Sequence, residues 1–213
     1  YKRQVEKDAG ILLALLPPEQ VLSWLDRCLP EVLERHPLAM LVLMRSMFNW
    51  RRIPEMLRLK EQLLAAIDAR PDMPGEERGN LRGECDLIMS FLSYNDITEM
   101  SRLHRSASRQ MTRSAVTIQA GSWTFGSPSV LMMYYRAPGE LQKETHEMHE
   151  CMPHYYRITN GHGLGAELVM DAEASFMQGK LHEAEIGLAR ARAAIAGSGQ
   201  ENMALCCDFR CGT

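Results

Sequence analysis

Asp171-Ala172-Glu173-Ala174-Ser175-Phe176-Met177-Gln178-Gly179-Lys180-Leu181-His182-Glu183-Ala184 is the stretch whose reading decides the fold. A helical run stops at a glycine, and a second amphipathic run opens two residues later at Leu181. A small residue, Ala184, follows, and Leu188 and Ala191 continue the apolar stripe at helical spacing. The same layout recurs upstream. Ile53, Ile97 and Leu141 each follow a turn and open an amphipathic run, so the four anchors stand 44, 44 and 40 residues apart. Fourteen residues past each anchor sits another apolar or aromatic residue: Ile67, Met111, Tyr155 and Ile195. Fourteen residues is about four helical turns, so anchor and partner share one helix face. Self-similarity at this period predicts an all-α chain, a superhelix of antiparallel helix pairs.

The pairs are expected near 38–68, 76–111, 127–158 and 164–196, with the start of another at 200–213. Residues 1–37 read as a separate junction ahead of a helical-repeat domain over 38–213. The junction has an opening helix over 2–16, stopped by Pro17-Pro18, then short helices over 19–28 and 30–35. Arg70-Pro71-Asp72-Met73-Pro74-Gly75 is a loop by composition, and Thr159-Asn160-Gly161-His162-Gly163 is a turn. The third unit departs from the pattern. Residues 112–126 lack helical periodicity, and Ser127-Pro128 then reads as an N-cap and first-turn proline opening a short helix through Tyr135. The turn of the last pair resembles a tetratricopeptide repeat, in which small residues let paired helices approach closely. Here the period is about 40–44 residues.

Bulk properties narrow the class. A net charge of −3 leaves no basic excess for neutralising phosphates, so this stretch is not expected to grip nucleic acid by itself. The apolar fraction of 46% and charged fraction of 24% are those of a globular chain and argue against disorder. The opening Tyr1-Lys2-Arg3-Gln4-Val5-Glu6-Lys7-Asp8 is charged, and no apolar run reaches membrane-spanning length. A cytoplasmic protein with reduced thiols at Cys28, Cys85, Cys151, Cys206, Cys207 and Cys211 is expected, with no membrane partner. The chain lacks an initiator methionine and stops just after a new apolar run begins. It is therefore expected to be part of a longer protein. The 15 methionines are assigned to adaptable helix–helix contacts.

No motif for catalysis emerges, and the chain is read as a non-enzyme. His146-Glu147-Met148-His149-Glu150-Cys151-Met152-Pro153-His154 concentrates metal-ligand types, but lacks the His-Glu-x-x-His order and is read as a solvated helix face. Gly161-His162-Gly163-Leu164-Gly165 follows a helix rather than a strand and has no Lys-Ser/Thr sequel, so it is a turn and not a phosphate loop. No metal, cofactor or catalytic residue is expected in this stretch. The aromatics are the candidates for ligand binding: Trp123 and Phe125 in the irregular segment, Tyr134, Tyr135 and Tyr155 on the helices around it, and His162 in the adjoining turn. Trp123 and Phe125 have a second reading, as a plug for the hole left by a shortened helix.

Two sections carry a family resemblance. One is Leu15-Leu16-Pro17-Pro18-Glu19-Gln20-Val21-Leu22-Ser23-Trp24-Leu25 with Leu29-Pro30-Glu31-Val32-Leu33-Glu34-Arg35-His36-Pro37-Leu38. The other is Phe125-Gly126-Ser127-Pro128-Ser129-Val130-Leu131 with Tyr155-Tyr156-Arg157-Ile158-Thr159-Asn160-Gly161-His162-Gly163. Both resemble the large ATP-binding LuxR-type transcriptional regulators, the group that includes the maltose-regulon activator. The resemblance implies a bacterial protein with an ATPase part before residues 1–37 and a DNA-binding helix-turn-helix after this stretch. The helical repeats would sense a small-molecule inducer or a protein partner, with DNA contacted only through the later domain and self-association open to the scaffold. No ATP-contacting residue is carried over. The alternative is a free-standing tetratricopeptide-like adaptor for a peptide or protein partner.

Overall fold

The computed structural model describes residues 10, 13–93, 95–118, 129–134 and 137–199, and among them every regular element is helical. The helices are α1 (Pro18–Asp26), α2 (Pro30–Glu34), α3 (Pro37–Asn49), α4 (Ile53–Asp68) and α5 (Gly75–Ser90). They continue as α6 (Ile97–Gln110), α7 (Val130–Tyr134), α8 (Leu141–Ile158), α9 (Ala166–Met177) and α10 (Leu181–Ile195). Short 3-10 turns lie at Leu13–Leu15 and Phe91–Ser93. Most of the expected opening helix lies outside the described residues, and the part that is described ends as the first of these turns. The beginning of another pair at 200–213 also lies outside them.

Local chemistry sets the helix starts. Proline occupies the first turn of α1, α2, α3 and α4, where its missing N–H has no intrahelical partner to lose. At α6 the cap is a side chain: the Asp96 carboxylate accepts from the Glu99 amide at 3.1 Å. The four anchors Ile53, Ile97, Leu141 and Leu181 are the first residues of α4, α6, α8 and α10. Their partners Ile67, Met111, Tyr155 and Ile195 are all buried. Leu181 departs from the expected pattern. It is 59% exposed, because no described element covers the start of α10.

The turns share a geometry that the residue types conceal. Arg51, Gly139 and Gly179 each stand two residues before an anchor, with φ of 58°, 86° and 76°. After α3, Arg52 N donates to Met47 O (2.8 Å) and Arg51 N to Phe48 O (3.0 Å). After α9, Lys180 N donates to Ser175 O (3.0 Å) and Gly179 N to Phe176 O (2.9 Å), which is the same left-handed helix cap. Asn95 differs: its turn closes through the 3-10 turn, with Asp96 N donating to Ser93 O. Gly179→Ala is expected to cost about 1 kcal/mol, since alanine resists this left-handed conformation. Gly75→Ala, with ordinary φ and open space around it, will be neutral or slightly stabilising. Urea unfolding of the two variants checks the contrast.

Each helix packs on its chain neighbour in the pairs α3–α4, α5–α6 and α9–α10. Between pairs, α3 meets α5, α6 meets α8, and α9 meets both α7 and α8. Helix α8 lies directly against α6. One apolar cluster joins Leu13, Val21 and Leu33 to Met40, Met44 and Met47 of α3, Met56 and Leu63 of α4, and Ile88 of α5. The other joins Met100 of α6, Leu131 of α7, Met148 and Met152 of α8, Met170 of α9 and Ala191 of α10. Methionine's unbranched, flexible side chain suits these irregular contacts between unequal helices. No helix among the described residues is long and apolar enough to cross a membrane.

Candidate functional site

The interruption in the third unit is held by charge. Glu84 of α5 is fully buried. Its Oε1 accepts from the amides of Val116 and Thr117, both at 2.7 Å, and its Oε2 takes Arg113 Nη1 at 2.9 Å. One turn earlier, Asn80 Oδ1 accepts from the Thr112 amide (2.9 Å) and Asn80 Nδ2 donates to Thr112 Oγ1 (3.0 Å). From the other side, the Ala115 amide donates to the Ile158 carbonyl at 2.7 Å. Residues 112–117 thus lie between α5 and the end of α8. The amides of Thr112, Arg113, Val116 and Thr117 donate to side chains, and that of Ala115 to a helix-end carbonyl.

A second buried carboxylate holds the far end. Glu173 of α9 accepts from the Leu131 amide (2.7 Å) and the Ser129 hydroxyl (3.1 Å) through Oε2, at the start of α7. Ser129 Oγ in turn accepts from the Met132 amide at 3.0 Å. The sequence places the cap at Ser127; the capping hydroxyl among the described residues belongs to Ser129. Glu84 thus holds the stretch after α6 and Glu173 the start of α7, from helices of different pairs. Trp123, Phe125, Ser127, Pro128 and Tyr135 lie outside the described residues.

The remaining aromatic candidates are interior. Tyr134 and Tyr155 belong to the second apolar cluster, and burial pushes both phenols well above their usual range. Tyr155 Oη and His162 Nδ1 share a hydrogen bond of 2.6 Å, with His162 also buried. Tyr134 is thus brought near Tyr155, and Tyr155 to His162, as parts of the packed joint between α7, α8 and the α8–α9 turn. That turn runs through left-handed residues at Asn160, Gly161, Gly163 and Gly165, as its glycines predict. A Cβ at Gly165 would fall 2.8 Å from Ile195 Cγ1, so the glycine also lets the turn sit against α10.

A buried polar chain runs from α5 through α6 to α8. Ser90 donates its hydroxyl proton to the Leu87 carbonyl (2.6 Å), so its oxygen accepts from His104 Nε2–H at 3.0 Å. His104 Nδ1 is then left to accept the Cys151 thiol proton, at 2.9 Å. Burial pulls the His104 imidazole down to about 3 and pushes the Cys151 thiol up to about 12. Both partners are therefore neutral near pH 7, which is the state this hydrogen-bond direction requires, and no thiolate is poised here. Acidification acts on His104 first. Unfolded, it takes up a proton near pH 6.5; folded, it refuses one until about pH 3, so stability falls as pH drops between those values. The loss should reach roughly 2 kcal/mol by pH 5. His104→Gln is expected to flatten that slope in urea titrations from pH 7 to pH 5. Equal slopes in the two proteins would refute the assignment.

The histidine-rich run of α8 diverges. Glu147 pairs with Arg105 (2.9 Å), His149 with Asp171 (2.6 Å), and His154 Nδ1 lies 3.3 Å from Ser108 Oγ, while Met148, Cys151 and Met152 turn inward. Among the described residues no three His, Cys, Asp or Glu side chains converge on a metal position. No local motif marks the buried glutamates or the Ser90–His104–Cys151 chain. One signal was legible for Glu173, which occupies the same helical stripe as the buried Ala166, Val169 and Met170.

The fold and this joint define an all-α protein whose pairs are bridged by buried polar groups. No protein-family model, curated protein or solved structure matches the chain.

Proposed function

We propose that this chain is a helical-repeat sensor region of a bacterial LuxR-type transcriptional regulator, its pairs wound into a superhelix that binds an inducer or protein partner. The observation that carries the reading is that buried carboxylates of two different pairs hold the backbone on either side of residues 119–128, Glu84 at Val116 and Thr117 and Glu173 at Leu131. A connector tied by carboxylates to two different pairs changes position when those pairs shift relative to one another. Ligand or partner binding would then favour one arrangement of the pairs and move the equilibrium toward the active form. The period of the anchors, the pairwise packing and the resemblance of residues 15–38 and 125–163 point the same way. The adaptor reading draws its support from Phe176, Met177, Leu181 and Ile186, large apolar side chains exposed on the last pair. A transcription reporter driven by the full reading frame separates the two. A regulator will change reporter output, and Glu84→Gln together with Glu173→Gln will abolish its response to inducing conditions while the protein still accumulates. A reading frame with no effect on transcription leaves the adaptor.

A further inference from the structure

Away from the aromatic joint, an open cleft of about 570 Å³ lies where α2, α3, the α4–α5 loop and the irregular segment meet. That size falls within the range of small-molecule sites. Three guanidinium groups from three separate elements line it: Arg35 after α2, Arg70 after α4, and Arg113. Arg113 is paired with Glu84. Arg70 donates to the Glu34 carbonyl, and neither Arg35 nor Arg70 has a carboxylate at ion-pair distance among the described residues. Glu76 and Glu77 also line the cleft, with Glu76 accepting the Thr112 hydroxyl at 2.7 Å. Helices α3 and α5 both begin at this cleft, and neither has a side-chain cap. Their amide ends add positive potential to that of the arginines.

We infer that this cleft is a binding site for a small molecule carrying one oxyanion group, phosphate or carboxylate, together with hydroxyl or amino groups. The fork of Arg35 and Arg70 suits a planar or tetrahedral oxyanion, because guanidinium presents paired donors to two oxygens. Glu76 and Glu77 reject a second negative charge nearby and accept from the neutral or cationic donors of the same ligand. The site is independent of the regulator reading, since it rests on the cleft and its charges alone. Its occupant would also touch Arg113, the residue that links the cleft to the Glu84 fastening.

The test is calorimetric titration of the protein with inorganic phosphate and with glycolate, a monocarboxylate bearing one hydroxyl, at ionic strength held constant with potassium chloride. Saturable binding of either probe is expected, and the tighter one identifies the oxyanion class. Arg35→Ala should weaken it at least 5-fold, and Arg35→Lys should recover part of the loss. The Arg35 side chain makes no hydrogen bond among the described residues, so the variant should fold as the parent does, which circular dichroism checks. Absence of saturable binding by both probes overturns the site. Binding that survives both Arg35→Ala and Arg70→Ala unchanged overturns it equally.

Discussion

Replacing Glu84 by alanine is expected to destabilise the protein by about 3 kcal/mol, chiefly the cost of leaving two backbone amides without their acceptor. Two amides, at Val116 and Thr117, and the Arg113 guanidinium all lose their acceptor at once. Water cannot easily replace it, because Glu84 has no exposed surface. Glu84→Gln should cost less: its amide oxygen can still accept from the backbone, but its NH2 faces Arg113 with the wrong polarity. The order alanine, glutamine, parent in urea midpoints is therefore the expected result. Hydrogen exchange at Val116 and Thr117 should accelerate in the same order. A Glu84→Ala protein of parental stability would show that the irregular segment is not held in this way.

The second large effect concerns how closely α5 and α6 approach. A Cβ at Gly79 would lie 2.7 Å from the Gln110 carbonyl oxygen, and one at Gly83 would lie 3.0 Å from the Ala107 carbonyl oxygen and 2.5 Å from Met111 Cγ. The Met111 side chain can swing away; a helix backbone cannot. Gly79→Ala and Gly83→Ala gain helix propensity, worth roughly 1 kcal/mol, but each must push the helices apart. The net is expected to be a loss of about 2 kcal/mol, in the range found for overpacking. Spreading the pair would also disturb Asp86, which accepts from Ser106 (2.7 Å) and Gln110 (2.9 Å) across the same seam. Thermal unfolding of the two variants measures it. A rise in midpoint would mean that the helices are free to separate.

The fold was legible where one rule acted alone. Anchor spacing placed the first residues of four helices, because a turn, an apolar stripe and a pitch of 3.6 residues leave little freedom. The left-handed turn at Arg51 was hidden, since arginine does not announce that conformation as Gly179 does. Leu181 shares a helix face with the buried Ile195 yet is exposed itself, because burial depends on what covers a residue, and no local pattern reports that. The site was harder to read. Aromatic residues drew attention to Tyr134, Tyr155 and His162, which the structure packs into a joint between helices. Glu84 and Glu173 look on the page like ordinary helix-surface charges. Their partners lie 29 to 44 residues away, beyond the reach of any local pattern.

The central proposal is that these pairs form the sensing region of a transcriptional regulator, and its most direct test is the reading frame on either side of this chain. The account predicts a Gly-x-x-x-x-Gly-Lys-Ser/Thr phosphate loop upstream of Tyr1 and a basic helix-turn-helix downstream of Thr213. A reading frame that encodes neither would contradict it.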